Sequence, residues 1–336
     1  MPNKLIHKDK HLSRIQQVVA FIRKGIEKEQ FKNNDQLPTI NVFSASYGVA
    51  RDTVEKAYGV LKQSGHIRSV PGLGYFVEAR KKDQLRVLLV LNKLSAYKKI
   101  VYNSFVKVLG DKARVDLQVH NYSFKLLKEI VESKIGDYHY YAIMPHFDGK
   151  LKQADLIKAL QKIPEDELVI LDKRVKGLKC NCIEVFQDFE KDIYKVLFSA
   201  KEVLEKYREL SIILRTDSLH PKEIIDGARK FCEQTGRKFN VIPGLEEETL
   251  TPGKVYIDTS ESDLAMLLKK AKEQGLEPGK DIGVISFNET ALKDLLNITV
   301  ITTDFAAMGA KAAECILYNK KEKIANPFYI IRRSSV

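Results

Sequence analysis

The chain has 336 residues, a formal net charge of +12 and a pI near 9.2. That length calls for two or three domains rather than one core. No apolar run approaches the ~20 residues of a membrane span, and the first residues are charged rather than signal-like, so a cytoplasmic protein without a membrane partner is expected. The charge is uneven: residues 1–82 hold 15 Lys and Arg against 7 Asp and Glu, and the remainder holds 41 against 37. A basic head on a nearly balanced body points to nucleic-acid binding by the head. The plainer reading is a solvated lysine surface. Cys180, Cys182, Cys232 and Cys315 match no zinc or redox spacing, so free or buried thiols are expected, with no metal and no cofactor.

Residues 1–12 read as a polar arm. Ser13 then caps a helix with Ile15, Val18, Val19, Ile22 and Ile26 on one side, a core-facing stripe. Thr39 follows Leu37-Pro38 and can cap a second helix, which Gly48 breaks at a tight turn. A third helix carries Val54, Ala57, Tyr58 and Leu61 on one face, and Gly65 sits where a left-handed C-cap ends it. Residues 67–77 alternate around Pro71-Gly72, which reads as a hairpin. Helix, turn, helix and hairpin make a winged helix, whose last helix enters the DNA major groove.

The order Leu37-Pro38-Thr39, Val49-Ala50-Arg51-Asp52-Thr53-Val54, Gly65 and Gly72-Leu73-Gly74-Tyr75-Phe76-Val77 resembles the DNA-binding domain of the GntR family of bacterial transcription factors. Ala50 replaces a serine of that pattern and so removes a helix cap. Asn41 stands where an arginine is common. DNA contacts are expected at Thr39, Asn41, Arg51, Thr53, Lys56, His66, Arg68 and Gly72, of which the resemblance implies Arg51 and Thr53 and position on the recognition helix or wing selects Lys56, His66, Arg68 and Gly72. Arg51 opens the recognition helix, where its planar fork suits guanine O6 and N7 or, alternatively, a phosphate. Gly72 allows close backbone approach.

Residues 79–84 form a short charged linker. From residue 85 the pattern changes. Apolar runs at 86–91, 115–119, 140–144, 168–171, 210–214, 239–242, 254–257 and 281–287 read as strands buried on both faces. Helical stretches at 100–108, 123–135, 151–163, 188–204, 221–234 and 261–274 separate them. The alternation is a doubly wound α/β architecture, and the number of strands calls for two lobes with a cleft between them. The fold class is therefore α/β, with domains at 1–78 and 85–336.

Four landmarks in this body, Tyr140 to Pro145, Leu168 to Arg174, Gly275 to Asn288, and Ile301-Thr302-Thr303 with Met308-Gly309, resemble the effector domain of the LacI family, which shares its fold with periplasmic sugar-binding proteins. The pairing of the two parts resembles that of arabinose- and fucose-type regulators. It implies operator DNA, a monosaccharide effector and a homodimer as partners.

A sugar site needs polar groups for hydroxyls and an aromatic face for C–H surface. Position after strands selects Ser95, Tyr97, His146, Phe147, Arg174, Phe186, Asp188, His220, Asp258, Glu261 and Asn288. Arg174 and Asn288 rest on family landmarks. Asp188 is equally placed to cap the helix that follows, and Phe147 and Phe186 to pack between lobes. No catalytic order of Ser, His and Asp, no metal spacing and no phosphate loop stands out, so no enzyme is expected. The expected function is a sugar-released repressor. A carbohydrate-binding module without a regulatory role, or a regulator of a non-sugar, are the competing readings.

Overall fold

The computed structural model describes residues 13–78, 84–148, 151–216 and 218–336. The expected arm over 1–12 and all of the linker except Gln84 lie outside these residues.

The basic head is three helices and a hairpin. α1 (Arg14–Glu27) opens on a reciprocal cap: the Ser13 hydroxyl accepts from the Gln16 N–H, and the Gln16 side chain accepts from the Ser13 N–H. α2 (Ile40–Tyr47) opens at Thr39 and closes at Gly48 with φ +63°. α3 (Arg51–Gln63) opens at Ala50 without a side-chain cap. β1 (Ile67–Val70) and β2 (Gly74–Val77) pair antiparallel across Pro71-Gly72-Leu73. Val18, Ile22, Phe43, Val54, Tyr58 and Leu61 fill the core. The Tyr58 hydroxyl donates to the Pro38 carbonyl at 2.8 Å, tying α3 to the turn before α2.

The body is two lobes, each built on a six-stranded sheet. Lobe 1 contains β3 (Leu85–Leu91), β4 (Ala113–Val119), β5 (Tyr140–Ile143), β6 (Leu168–Lys173), β7 (Ile183–Gln187) and the late strand β13 (Lys323–Ala325). All are parallel, in the order β13-β7-β6-β5-β3-β4. Lobe 2 contains β8 (Glu209–Ile213), β9 (Lys238–Ile242), β10 (Lys254–Asp258), β11 (Gly283–Phe287), β12 (Thr299–Thr303) and β14 (Phe328–Ile331). Its order is β14-β12-β11-β10-β8-β9, with β14 antiparallel at the edge.

α5 (Phe124–Lys134) and α6 (Gln153–Leu160) cover the lobe 1 sheet, and the interlobe crossings and the cleft mouth are set by α4 (Ala96–Leu109), α7 (Phe189–Ser199), α8 (Glu223–Thr235), α9 (Glu261–Glu273), α10 (Ala291–Leu295) and α11 (Phe305–Leu317). The chain crosses between lobes after β7, after β12 and after β13. The crossings are bonded to one another: Asn326 N–H donates to Phe186 O at 2.7 Å, Asp304 N–H to Pro327 O at 2.9 Å, and Thr303 Oγ1 to Gln187 Oε1 at 2.6 Å. The helices flanking the crossing approach closely. A Cβ on Gly309 of α11 would fall 2.2 Å from Val101 O of α4, and one on Gly227 of α8 would fall 2.2 Å from Glu190 O of α7.

The head docks on lobe 1. The Arg23 guanidinium of α1, 5% exposed, donates to Gly136 O at 2.5 Å and Tyr138 O at 3.3 Å. Lys24 lies 4.0 Å from Asp166. Cys180 and Cys182, expected as separate thiols, are joined in a disulfide because the stretch entering β7 brings their Cα atoms to 5.3 Å; Cys232 and Cys315 are free and buried. No helix among the described residues is long and apolar enough to cross a membrane.

Candidate DNA-binding face and ligand cleft

On the head, the expected DNA contacts fall on or beside α2, α3 and the hairpin. Arg51, Asp52 and Lys56 are exposed on the first turns of α3, with Thr53 half-buried between them. Asn41 is exposed on α2. The Thr39 hydroxyl is engaged in capping, accepting from Val42 N–H at 3.3 Å. Gly72, at φ +76°, forms the exposed wing tip beside Leu73, which is 61% exposed. Two further residues have partners within the head. His66 Nδ1 sits 2.8 Å from Ser64 Oγ, and Arg68 donates to Asn34 Oδ1 at 3.2 Å while lying over the Phe76 ring.

Between the lobes lies a cleft of about 730 Å³, at the C-terminal ends of the strands. β3 delivers Asn92 and Lys93 into it. Asn92 is buried, and its Oδ1 has no hydrogen-bond partner among the described residues. The first turn of α4 adds Tyr97, stacked on Phe305 at 5.2 Å, and Lys98. Lys98 is buried against Asp172, which also accepts from the Gln187 amide. His146 Nε2 approaches the same carboxylate at 3.1 Å, off the line of a hydrogen bond. Burial opposes the charge on Asp172, but the Lys98 ammonium and the His146 ring outweigh it and hold the carboxyl well below the usual carboxylate range. Asp172 adopts φ +71°, a left-handed conformation that a non-glycine residue keeps only where its surroundings fix it. Through Gln187 this group reaches Thr303, so the lobe 1 wall of the cleft is bonded directly to two interlobe crossings.

Lobe 2 supplies His220, Thr259, Ser260, Glu261, Ser262, Asn288 and Lys293. Burial and the nearby Lys93 push the His220 ring down to about 4, so it is neutral at pH 7. Burial, helped by Glu261, pushes the Tyr97 hydroxyl up to about 12, keeping it a donor. The Lys293 ammonium is buried and donates to Phe287 O at 2.6 Å and Asn288 O at 3.0 Å. Phe189, Phe287, Phe305 and Phe328 give apolar faces among these polar groups. The arrangement can satisfy several hydroxyls at once and cover the C–H faces of a ring.

Residues 14–77 match the family described as bacterial regulatory proteins, gntR family. The head is a gntR-family helix-turn-helix domain. HTH-type transcriptional regulator TreR of Bacillus subtilis is 28% identical over 114 residues, covering 34% of this chain and 43% of that protein. An uncharacterized HTH-type regulator of Escherichia coli, YjiR, is 31% identical over 70 residues, 21% of this chain and 15% of that protein. The chain thus spans less than half the length of the two curated relatives. The trehalose repressor from Escherichia coli superposes with a TM-score of 0.60 at 16% identity, over 74% of this chain and 100% of that chain. The lac repressor bound to ONPG gives 0.62 at 13% identity, over 85% and 90%. At these identities the match establishes the fold: the body behind the gntR-type domain has the two-lobed fold of the lac and trehalose repressors.

The expected ligand residues divide cleanly. Ser95, Tyr97, His146, His220, Glu261 and Asn288 line the cleft, although the Ser95 hydroxyl also accepts from Lys98 N–H at 3.3 Å. Phe147, Arg174, Phe186, Asp188 and Asp258 are not in its lining. Phe147 packs on His120 and Phe124. Arg174 pairs with Glu184 at 3.1 Å and lies over the Phe186 ring. Asp188 caps α7, accepting from Lys191 N–H at 3.5 Å. Asp258 is fully buried beneath the lining, accepting from Ser286 Oγ at 2.7 Å, and burial pushes its carboxyl up to about 7 against the pull of that hydrogen bond. Sequence reasoning missed Asn92, Lys98, Asp172 and Gln187, although Asp172 stood inside the quoted landmark that ends in Arg174. The ligand atoms of Cys180, Cys182 and Glu184 lie within 4.8 Å of one another, but Glu184 is already held by Arg174 and Lys323.

Proposed function

We propose that this chain is a DNA-binding transcriptional regulator controlled by a sugar. Residues 1–78 form the DNA-binding part, 79–84 the linker, and 85–336 the effector-binding and dimerising part. The observation that carries the reading is a gntR-type domain joined by a few residues to a hinged fold with a polar, aromatic-walled cleft. As a homodimer, the chain places two recognition helices on the half-sites of a palindrome. Ligand entering the cleft closes the lobes, and the motion reaches the head because Arg23 holds α1 to lobe 1. The ligand must bind one dimer geometry better than the other for this to work. The sign proposed is repression with release by the sugar.

The neutral His220 and the mixture of hydroxyl, amide and aromatic groups support a monosaccharide such as arabinose or fucose. The likeness to a trehalose repressor adds trehalose to the candidates. The DNA arm is tested by selecting duplexes from a random-sequence library with the full chain. A regulator enriches a two-fold-related motif; recovery of no motif above that of a generic basic protein overturns the reading. The ligand arm is tested by thermal melting with arabinose, fucose, xylose, ribose, galactose and trehalose. A ligand at ~100 times its Kd adds about 2.7 kcal/mol, and no shift with any of them removes the sugar assignment.

A further inference from the structure

We propose that Cys180 and Cys182 are a reversible dithiol–disulfide couple that sets how firmly the gntR-type domain docks on lobe 1. The two residues flank Asn181 in the turn that enters β7. A bond between cysteines two apart closes so short a loop that it restrains the unfolded chain very little, so stapling the fold does not account for it. In a reducing compartment such bonds are transient and sensing rather than structural. The other two cysteines differ in kind: Cys232 and Cys315 are buried and unpaired, and burial pushes the Cys232 thiol up to about 11. Neither has a second thiol beside it with which to close a bond, since Cys232 lies in the lobe 2 core and Cys315 in the lobe 1 core.

The pair divides the chemistry between an outer and an inner sulfur. Cys180 is partly exposed and Cys182 is buried. The oxidant is a small-molecule disulfide of the glutathione type, RS–SR. The Cys180 thiolate attacks one sulfur of RS–SR, and a mixed disulfide forms as RS⁻ leaves. The Cys182 thiolate then attacks the Cys180 sulfur and expels the second RS⁻. The two cysteines lose two electrons and two protons; RS–SR gains both as two RSH. Excess RSH reverses each step.

The loop closed by this bond is hydrogen-bonded to the turn that meets α1. The Asn181 N–H donates to Glu165 Oε2 at 3.0 Å. Glu165 begins the acidic turn Glu165-Asp166-Glu167 that leads into β6. Asp166 of that turn faces Lys24 of α1, and its carbonyl accepts from Lys321. On the other side of the loop, Glu184 of β7 is clamped by Arg174 at 3.1 Å and Lys323 at 2.9 Å. With β7 held, a change in the Cys180–Cys182 loop is passed to the acidic turn and so to α1. Oxidation orders the Asn181 N–H toward Glu165 and firms the docking; reduction loosens it.

The test needs neither DNA nor sugar, so its outcome is separate from that of the proposed function. The full chain is equilibrated with mixtures of reduced and oxidised glutathione. Peptide mass after alkylation is read alongside hydrogen exchange over residues 14–27 and 136–139. With oxidised glutathione the peptide holding Cys180 and Cys182 should lose two hydrogens while Cys232 and Cys315 stay reduced and alkylate once the chain is unfolded, and exchange over 14–27 should slow. Glu165→Gln should leave bond formation intact and abolish the response in 14–27. Failure of the bond to form, or a bond that leaves exchange over 14–27 unchanged in the unmodified chain, overturns the proposal.

Discussion

At the scale of single residues, the cleft is organised around a buried anion. Asp172 is held by Lys98 and the Gln187 amide in a backbone conformation few aspartates adopt. Replacing Asp172 with Leu strands the Lys98 ammonium in the wall and should cost about 3–5 kcal/mol in urea unfolding. Adding Lys98→Met should restore much of that loss. Protonation gives a second prediction. Burial, with Arg23 nearby, lowers His139 to about 4, and burial with Lys93 does the same to His220. The folded chain therefore binds fewer protons than the unfolded chain between pH 4 and the ordinary histidine value of about 6.5. Their contribution is full above that window and is lost as pH falls through it. Asp258, raised to about 7, acts in the opposite sense. His139→Asn should thus flatten the fall in stability between pH 6.5 and pH 4 that the parent shows in urea titrations, and an unchanged slope would contradict the assignment. On the head, Arg51→Ala should weaken binding to an enriched duplex by about 1–3 kcal/mol and relax one base position. A uniform loss across sequences would make Arg51 a phosphate contact instead.

At the scale of elements, what the sequence revealed follows from what each element needs locally. The winged helix was legible down to Ser13, Thr39, Gly48, Gly65 and Gly72, because caps and turns are set by single side chains or by φ. Central strands such as β3 and β6 announced themselves as apolar runs buried on both faces. β7, β12, β13 and β14 did not: β13 and β14 are short edge strands with no buried residue, and β7 and β12 carry Glu, Gln and Thr among their apolar positions. The ligand residues chosen by position after a strand reached the cleft where the loop turns inward, as at His146 and Asn288. The choice failed where a neighbour claimed the side chain, as Glu184 claims Arg174 and the α7 backbone claims Asp188. Lys98 and Asp172 were hidden because their pairing spans two elements far apart in sequence. The close contact of α4 with α11 gives a test at this scale. Gly309→Ala forces its Cβ into Val101 O and Ser104 Oγ and should cost about 1–3 kcal/mol, read as a lowered melting temperature.

At the scale of the whole molecule, three bonded crossings connect the two lobes, and Arg23 on Gly136 and Tyr138, with Lys24 beside Asp166, joins lobe 1 to the head. The cleft network ends on two of those crossings, which is the route by which an occupied cleft would reach DNA. The most direct measurement is the fluorescence anisotropy of a labelled duplex from the enriched pool, bound by the full chain and titrated with each sugar of the melting panel. The sugar that raises the melting temperature should also release the duplex, and over the same concentration range. A duplex that stays bound at saturating sugar, with the cleft demonstrably filled, would contradict it.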